Sequence, residues 1–271
     1  MRLFISILIF LYTPWAMGQC TGSWGVSTKK TYSNDPQSAP KVRVVIELSD
    51  ALKKCNLEGV VVKTEESGQL RFRHKQSTLL ARVTDESGRA YTRLNNKRLF
   101  IPFKGNASRQ TFELRFDDIM HSTPGTYSAS IALHLEGASR GSKRVKSFVQ
   151  IYPYLSMDIQ STSLNNNTLD LGVLKSGRSK SLDLTINSNT SYSLSIESKY
   201  GALQHEKNES KKIHYSISLD GRTVPFDAKM AFSSPPSAGH KKQMQFKVGS
   251  VSGAVAGRYK DYVTITATAR P

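Results

Sequence analysis

Cysteine is scarce in this sequence: its 271 residues include two, Cys20 and Cys55. The second half has none, which excludes a disulfide framework there, so its stability must come from packing or from a partner. In an exported chain the simplest use of two cysteines is one disulfide between them. The closed loop contributes roughly 4 kcal/mol in the chain-entropy model. We therefore expect a single bridge near the N-terminal end.

Motifs for catalysis, metal binding and phosphate binding are also absent. The six histidines are scattered, without the HxxxH or HxH spacing of a metal site. No Gly-x-Ser-x-Gly elbow and no glycine-rich phosphate loop occurs. Neighbouring acids such as Glu65 and Glu66 point to opposite faces when they lie in a strand. We expect no enzyme, no catalytic residue, no metal and no cofactor.

Long apolar runs are missing except at the N-terminus. Arg2 precedes an apolar stretch at residues 3–12, and small residues at positions 16 and 18 come after it. This is the pattern of a signal peptide over residues 1–18, with a mature start at Gln19. Gln19 stands where a lipid-anchor motif needs a small residue, which argues against an anchor on Cys20. No other segment approaches the ~20 apolar residues of a membrane span, so we expect an exported chain.

Acidic residues are few relative to basic ones. The chain has 21 Asp and Glu against 38 Lys and Arg, a net charge of +17 and a predicted pI of about 9.9. Such a charge favours anionic partners: acidic glycans, lipopolysaccharide or membrane headgroups. Export, and the absence of basic and aromatic residues interleaved as in single-strand binders, argue against nucleic acid. The alternative is that the charge only solvates the surface.

One short pattern is present twice, about 132 residues apart. In each copy a glycine, and a tyrosine two residues later, open a run of alternating apolar residues. The first copy comprises Gly125, Tyr127, Ile131, Leu133 and Leu135, and the second comprises Gly257, Tyr259, Val263, Ile265 and Ala267. The alternation is typical of an antiparallel strand with one face in a core. Two copies at this spacing predict a duplicated β-sandwich.

The two copies differ in the residues that come after them. After the first copy, residues 145–151 form another strand-like run, whereas after the second the sequence stops at Pro271. We therefore expect the second domain to lack its last strand and to need a partner. Pro153 is the best boundary, because proline cannot continue a hydrogen-bonded central strand. The predicted domains are residues 19–152 and residues 153–271.

Alternation and turn residues predict the other elements. In the first half strands are predicted at residues 42–48, 60–63, 70–74, 79–83, 99–103 and 111–116, with a helical turn at 49–55 and a loop at 26–40. In the second half alternating runs occur at residues 155–159, 182–186, 192–196, 213–219 and 244–248. No long amphipathic helix competes with this all-β prediction.

Several motifs of the second half resemble spore coat protein U-like domains, the subunits of archaic and related chaperone–usher fimbriae. They are LDLG at residues 169–172, NSN at 187–189, YSLS at 192–195, IHYSI at 213–217, DG at 220–221 and GRYKDYVTI at 257–265. The resemblance covers roughly residues 155–271. It implies an immunoglobulin-like fold without a seventh strand, which leaves a hydrophobic groove open.

In such subunits a periplasmic chaperone fills the groove, and the N-terminal extension of an adjacent pilin subunit replaces it during assembly at an outer-membrane usher. The mode of binding is β-augmentation, and an uncovered groove aggregates. The resemblance places Val263, Ile265 and Ala267 beside the groove. On the opposite wall it places Leu155, Met157 and Ile159.

The mature N-terminus departs from ordinary pilins. A shaft subunit donates a flexible N-terminal extension, whereas here the expected disulfide at Cys20 pins that end at once. The chain can then receive a strand but not donate one, which describes a tip subunit exported through the periplasm to the fimbrium, with an adhesin or cap as its first domain. Two alternatives remain open, a periplasmic fimbrial chaperone and a secreted structural or coat protein without a pilus.

Basic residues of the first domain form two candidate receptor-binding clusters for an anionic host or abiotic surface. Arg71, Arg73 and Lys75 are predicted to share one strand face, with Phe72 opposite. The second cluster comprises Arg93, Lys97 and Arg98. The alternative for both clusters is a solvated sheet face. The apolar run at residues 99–103 is either a buried strand or, because of Pro102, an exposed adhesive loop.

We predict that Cys20 and Cys55 form an intramolecular disulfide in the exported protein. They are the only cysteines, and the expected compartment is oxidising. Mass spectrometry of the unreduced mature protein should give a mass lower by two hydrogens than after reduction, with no free thiol. A Cys55→Ser control should expose one thiol. Two free thiols in the unmodified protein, or a disulfide-linked dimer, would contradict the prediction.

Overall fold

The structure of the protein is a computed structural model that describes most of the chain. The described residues are 22–31, 40–55, 57–65, 68–105, 107–117, 119–137, 141–161, 164–165 and 167–270. The predicted signal peptide, Cys20 and Pro271 lie outside them. None of the described segments forms a helix with the length and hydropathy that crossing a bilayer requires.

The predicted all-β fold is confirmed. A short helix, α1, spans Asp50–Lys53 within the predicted helical turn. The described part of the first half forms ten strands: β1 Trp24–Thr31, β2 Lys41–Leu48, β3 Gly59–Lys63, β4 Gln69–His74, β5 Ser77–Thr84, β6 Thr92–Asn95, β7 Arg98–Pro102, β8 Arg109–Phe116, β9 Gly125–Glu136 and β10 Ser142–Ile151.

These strands pair into one antiparallel sheet in the order β1-β2-β8-β5-β4-β9-β3-β7-β6, and β10 pairs with β9. β9 is the longest described strand, with 12 residues. β10 lies along one edge of β9 from Gly125 to His134. β3 pairs along the other edge at residues 132–136, and β4 does so at Ser128. β9 is therefore covered on both edges.

Alternation along each strand builds the first core. In β4, Leu70 and Phe72 are buried, whereas Arg71 is exposed. Phe72 meets Phe116 of β8 edge to face, with ring centroids 4.9 Å apart. Burying one large apolar side chain contributes about 1.5–3 kcal/mol. The core therefore rests on the period-two pattern that predicted the strands.

The prediction of a loop over residues 26–40 is wrong for residues 26–31, which belong to β1. This strand pairs with β2 along its whole length, from Trp24 opposite Leu48 to Thr31 opposite Lys41. Trp24 is 5% exposed and packs in the first core. The polar composition of β1 hid the strand, because only one of its faces meets the core. β6 was also missed, since all four of its residues are exposed.

The apolar run at residues 99–103 is a buried strand rather than an adhesive loop. Leu99 and Ile101 of β7 are 3% and 0% exposed. Pro102 is the last residue of β7 and lies opposite Gly59 of β3. At the end of a strand, a proline interrupts no further ladder hydrogen bond.

The described part of the second half forms thirteen shorter strands. They are β11 Leu155–Gln160, β12 Leu164–Asn165, β13 Thr168–Leu169, β14 Ser179–Ser188, β15 Ser191–Ser198, β16 Leu203–His205, β17 Asn208–Ile213, β18 Tyr215–Leu219, β19 Arg222–Val224, β20 Lys229–Phe232, β21 His240–Val248, β22 Tyr259–Lys260 and β23 Val263–Arg270. The predicted run at 213–219 is divided between β17 and β18, and β20 was not predicted.

These strands form antiparallel sheets around a second core. One sheet has the order β11-β14-β21-β18-β19, a second β20-β15-β23 and a third β17-β16-β22, while β12 and β13 form a hairpin. The first core draws its residues from positions up to Ile151, and the second from Leu155 onward. The predicted domain boundary, Pro153, lies between these two positions.

The repeated glycine–tyrosine pattern forms the same corner in both halves. In the first half, the Tyr127 hydroxyl donates a hydrogen bond to the carbonyl oxygen of Thr123 (2.9 Å). The His74 ring packs on Tyr127, with centroids 5.3 Å apart. Gly125 has φ +149°, and a Cβ added there would lie 2.4 Å from His74 Nε2. A side chain is thus excluded at Gly125 by backbone conformation and by the ring.

The corner of the second half repeats each of these contacts. The Tyr259 hydroxyl donates to the carbonyl oxygen of Val255 (2.9 Å), and the His205 ring packs on Tyr259 at 5.0 Å. Gly257 has φ +151°, and a Cβ there would lie 2.0 Å from His205 Nε2. A tyrosine corner of this kind is a feature of immunoglobulin-like sandwiches. The repeated sequence pattern therefore corresponds to a tyrosine corner that occurs once in each half.

We predict that residues 19–152 fold without the rest of the chain. All described members of the first core belong to this half, and β10 pairs with β9 over its full length. The fragment should be soluble and should unfold in one cooperative transition in urea, measured by circular dichroism. A control fragment 19–141, which removes β10, should aggregate. Insoluble 19–152 beside a stable full chain would contradict the prediction.

Candidate functional site

β11 lies at an edge of the second half. Among the described strands it pairs with β14 alone. Its apolar side chains, Leu155, Met157 and Ile159, are half-buried and pack against the second core. On the neighbouring strand, Ile186 and Leu184 lie opposite Met157 and Ile159 and are fully buried. The apolar side chains of β11 are therefore more exposed than those of its neighbour β14.

β23 lies at the edge of another sheet. Within the described chain it pairs with β15 alone. Its inward residues, Val263, Ile265 and Ala267, are half-buried, and the threonines between them are exposed. Ile196 and Leu194 of β15 lie opposite Ile265 and Ala267 and are fully buried. The core is again open on the side of the edge strand.

The matching strand of the first half shows what β23 lacks. In β9 the equivalent residues Ile131, Leu133 and Leu135 are at most 2% exposed. β9 has neighbours on both edges, and β10 covers the edge that corresponds to the free edge of β23. The two strands begin after the same corner and share the same alternation. Within the described chain β23 has no neighbour in the place that β10 takes beside β9, and we attribute the different burial to this.

The two edge strands approach each other at one end. Leu155 at the start of β11 pairs with Ser188, and Arg270 at the end of β23 pairs with Ser191. Cα atoms of β11 come within 8 Å of Cα atoms of β23, but no ladder joins them in the described chain. We call the slot between them the edge groove. Its walls are Leu155, Met157 and Ile159 on one side and Val263, Ile265 and Ala267 on the other.

Asn189 fixes the β11 wall of the edge groove. It is 5% exposed, and its Oδ1 accepts a hydrogen bond from the backbone nitrogen of Tyr154 (2.8 Å). Its Nδ2 donates to the carbonyl oxygen of Tyr152 (3.0 Å). Ser188 Oγ donates to the carbonyl oxygen of Tyr154 (2.8 Å). The segment around Pro153 is therefore held to the corner at residues 188–191.

The same corner fixes the end of the β23 wall. Thr190 Oγ1 and Ser191 Oγ both donate to the carbonyl oxygen of Arg270, at 2.8 and 2.7 Å. Thr190 is buried. Because one carbonyl accepts both bonds, the last residue of β23 has a defined position. The edge groove is thus closed at this end by side chains of four consecutive residues.

Asp261 fixes the other end of β23. Its carboxylate accepts hydrogen bonds from Ser198 Oγ, from the Tyr215 hydroxyl at 2.7 Å and from the Tyr200 backbone nitrogen at 3.1 Å. Ser198 lies opposite Val263 in the ladder. Burial raises the pKa of Tyr215, and the hydrogen bond and charge of Asp261 raise that pKa further. The hydroxyl therefore remains a donor at neutral pH.

Tyr192 connects the two sheets next to the groove. Its hydroxyl lies 3.0 Å from Nδ1 of His240 in β21, and its ring stacks on Phe232 with centroids 5.1 Å apart. Burial, with the charge of Asp220, raises the pKa of Tyr192 to about 12. Burial, with the charge of Lys242, lowers the pKa of His240. At neutral pH the tyrosine can therefore donate to a neutral imidazole.

The groove offers backbone hydrogen-bonding groups along two strand edges and a row of apolar side chains. An extended peptide with alternating apolar residues matches both features. No group of three or more His, Cys, Asp and Glu that could hold a metal ion occurs among the described residues.

The structure separates the two predicted basic clusters. Arg71 and Arg73 are exposed on β4, and Phe72 is buried on the opposite face, as expected. Lys75 is not on that face: β4 ends at His74, and Lys75 lies in the adjoining turn with φ +49°. Glu65 pairs with Arg71 at 2.8 Å and lies 3.9 Å from Arg73. An acid therefore partly neutralises this cluster.

The second basic cluster lies on the hairpin of β6 and β7. Arg93 belongs to β6, Lys97 to the turn and Arg98 to the start of β7, and all three are exposed. β9 and β3 lie between this hairpin and β4 in the sheet. The two clusters therefore do not form one continuous stripe, and receptor binding by either stays a prediction.

The predicted disulfide lies only partly in the described chain. Cys55 is half-buried against the first core and is not a free cysteine. Cys20 lies outside the described residues. The pairing of the two stays a prediction.

Sequence reasoning missed the residues that fix the groove. Asn189 and Asp261 lie inside motifs that carry the family resemblance, but their partners are distant in sequence: Tyr154 is 35 residues from Asn189, and Tyr215 is 46 residues from Asp261. The sequence signal for such a residue was its position, as a polar residue between two runs of alternating apolar residues. Only the fold shows which backbone groups it binds.

No protein-family model matches the chain, and no curated protein matches it. Similar solved structures include a chain of the CsuC–CsuE chaperone–tip adhesion subunit pre-assembly complex from archaic chaperone–usher Csu pili of Acinetobacter baumannii. It is 15% identical over 82% of this chain and 88% of that chain, with a TM-score of 0.39.

Two further structures are adhesins. The CFA/I adhesin CfaE of enterotoxigenic E. coli is 12% identical over 91% of this chain and 82% of its own, with a TM-score of 0.38. The CupB6 tip adhesin of Pseudomonas aeruginosa is 10% identical over 91% and 93%, with a TM-score of 0.36. Chaperone–usher proteins are thus among the solved structures similar to this chain. At these identities and TM-scores the likeness carries no further argument.

We predict that Asn189→Ala destabilises the second half by about 1–3 kcal/mol. The change leaves the half-buried Tyr154 N–H without its side-chain partner, and an unsatisfied buried group costs about that much. The Tyr152 carbonyl also loses a hydrogen bond, but Tyr152 is exposed, so water can replace it. Urea unfolding followed by circular dichroism measures the loss, with both proteins in the same assembly state. Asn208→Ala, at the exposed first residue of β17, is the control and should cost less than about 1 kcal/mol. Equal stability of the two variants would contradict the stabilising role that we assign to the hydrogen bonds of Asn189.

Proposed function

We propose that the chain is the tip subunit of a chaperone–usher pilus. It attaches through its N-terminal domain and joins the fibre when a donated strand fills the edge groove of the C-terminal domain. The observation that carries the proposal is the burial of β23. Its inward residues are half-buried at a free edge, while the equivalent residues of β9 are fully buried beside β10.

An uncovered edge of this kind favours association with another chain. Unpaired N–H and C=O groups along a strand are a template for further pairing, and the open core beside them adds apolar surface. A strand inserted in the groove would extend the ladder of β23 and cover both walls. A periplasmic chaperone supplies the first such strand, and the N-terminal extension of an adjacent pilin replaces it at the outer-membrane usher.

The shape of the β23 wall indicates what the donated strand should carry. Its inward row is Val263, Ile265, Ala267 and Ala269, so the larger side chains lie far from the corner at residues 188–191 and the smaller ones lie near it. A donor with alternating apolar residues would meet these positions in turn. The most room for a large donor side chain is therefore beside the two alanines.

The first strand supports a subunit that receives and does not donate. β1 is paired with β2 along its whole length. Thr28 Oγ1 of β1 also donates to the carbonyl oxygen of Lys146 in β10 (3.4 Å). This segment is built into its own sheet. It is therefore not an extension that a neighbouring subunit could take up.

The two alternative functions require a different second half. A fimbrial chaperone keeps both of its domains complete and is soluble alone, and a coat protein without a pilus needs no donated strand. Both alternatives predict a stable monomer in which the β23 amides that point away from β15 are protected as well as those that bond to it. Hydrogen exchange on the purified mature chain separates them from the proposal, because a free edge exchanges quickly.

We predict that Ile265→Asp abolishes capture by the chaperone. The change places a charge in the groove wall, where a donated strand would bury it unpaired, at a cost of several kcal/mol. Coexpression with the chaperone followed by co-purification from the periplasm measures capture. Thr266→Asp is the matched control, because the neighbouring side chain is exposed on the other face, and it should leave capture nearly unchanged.

The converse experiment restores the strand. A pilin N-terminal extension fused behind Pro271 should give a soluble monomer that no longer needs the chaperone, and a fusion with its apolar residues changed to serine should not. If the unmodified mature chain is a stable monomer with slowly exchanging β23 amides, the tip-subunit proposal is wrong.

A further inference from the structure

A large basic cavity lies on the first half, away from the edge groove. Its volume is about 1100 Å³, slightly above the roughly 300–1,000 Å³ typical of ligand sites. It is formed by β3, β9, the start of β10 and the turn between β6 and β7. Five cations line it: Lys63, Lys97, Arg98, Lys143 and Arg144.

Strand register places three of these cations in one row across four strands. Arg98 of β7 lies opposite Lys63 of β3, Lys63 lies opposite Ala132 of β9, and Ala132 lies opposite Arg144 of β10. Residues directly opposite one another point to the same face, and neighbouring strands are about 4.8 Å apart. Like charges opposite each other destabilise a sheet. The row therefore stores repulsion that a bound anion would relieve.

The row has few acids of its own. Glu136 lies 3.5 Å from Arg98, and within the described part of the chain no acidic side chain is at salt-bridge distance from Lys63 or Arg144. None of the residues that line the cavity is acidic. All five lining cations are exposed to solvent, so their charge is available to a ligand.

In another row of cations on the same sheet, acidic side chains neutralise part of the charge. Lys41, Arg115 and Arg82 lie opposite one another across β2, β8 and β5. There Glu113 binds Arg115 at 2.8 Å, and Asp117 binds Arg82 at 2.6 Å. Two cations of that row thus have acids supplied by the chain, whereas the cavity row has one.

The remaining lining groups are polar and aliphatic. Asn95 and Asn96 carry amides, and His134 Nδ1 lies 3.0 Å from Ser142 Oγ. Lys143 adjoins Arg144 in β10, so its side chain points to the other face of the sheet, where Nζ lies 5.7 Å from the centroid of the Trp24 ring. These groups can donate and accept hydrogen bonds with hydroxyls. They surround the cations on a concave surface.

We propose that this cavity binds an acidic oligosaccharide, a chain of sugar units that carries carboxylate or sulfate groups. The spaced cations match spaced anions, and the amides match sugar hydroxyls. The proposal gives the ligand class of the proposed adhesin and rests on that function for its biological role. Binding itself does not depend on the edge groove.

Two other anionic partners fit less well. Single-stranded nucleic acid needs aromatic platforms on which bases stack, and the residues that line the cavity include no Phe, Tyr or Trp. A membrane surface binds flat or protruding basic regions with apolar anchors, whereas this site is concave.

The test titrates the full mature chain, alone or in its chaperone complex, by isothermal calorimetry. The probes are a heparin-derived hexasaccharide for sulfate, a hexagalacturonate for carboxylate, polyphosphate as a polyanion without sugar, and maltohexaose as a neutral sugar. At least one acidic oligosaccharide should bind, more weakly as salt rises, and maltohexaose should not. Polyphosphate should bind at least tenfold more weakly than the acidic sugar.

Variants then locate the site. Lys63→Glu and Arg144→Glu should each weaken the acidic sugar at least about tenfold, since a charge-assisted hydrogen bond is lost and repulsion replaces it. Lys63→Gln and Arg144→Gln should give smaller losses with unchanged circular dichroism. Lys41→Glu makes the same charge change in the compensated row and is the matched control, with less than a threefold effect.

The proposal would be overturned if no acidic sugar binds, or if polyphosphate binds as tightly as the acidic sugar. It would also be overturned if Lys41→Glu weakens sugar binding as much as the cavity variants do. The fourth contrary result is that Arg71→Ala/Arg73→Ala weakens sugar binding and the cavity variants do not. These outcomes are independent of the tip-subunit proposal. A chain that binds acidic sugar but needs no donated strand would refute the proposed function alone. A chain that needs the donated strand but binds no acidic sugar would refute only the proposed ligand of the cavity.

Discussion

The pairing of strand edges is the constraint on which this structure depends. A strand with one free edge leaves backbone groups unpaired and one side of its core uncovered. β9 and β23 begin at the same corner and carry the same alternation, yet the inward residues of β9 are fully buried and those of β23 are half-buried. The difference that accounts for this is the neighbour, β10, that β9 has. The open side of the second core is thus a property of one edge, and the fold of the second half is otherwise built around its own core.

The free edge is held in place by polar side chains rather than by a neighbouring strand. Asn189 fixes the backbone before β11, Thr190 fixes the end of β23, and Asp261 fixes its start. The tyrosine corner of Tyr259 and its His205 lies just before β23 and matches the corner of the first half. A wall fixed at both ends is pre-organised, which would reduce the ordering cost of binding the donated strand that we propose.

Charge is distributed by the same sheet geometry. Two rows of three cations cross the first sheet, and the chain supplies acids to two members of one row and to one member of the other. Where the acids are missing, the surface is concave and lined with amides. The first half covers both edges of β9, so the cavity beside β9 presents side chains rather than an unpaired edge of that strand. The second half instead exposes backbone at an edge, so the two halves are suited to different kinds of partner.

The sequence by itself determined the all-β class, the duplicated corner and the inward rows of β9 and β23, because period-two alternation and a glycine–tyrosine pair depend only on local geometry. Through the family resemblance it also predicted the six residues of the groove walls, and their role in binding a strand stays a prediction. It did not show β1, whose polar residues are held by pairing with β2, or the end of β4 before Lys75. The sequence also could not show the contacts of Asn189 or the row formed by Lys63, Arg98 and Arg144. The reason is the same in both cases, because the residues that meet are distant in the chain and are brought together only by strand register.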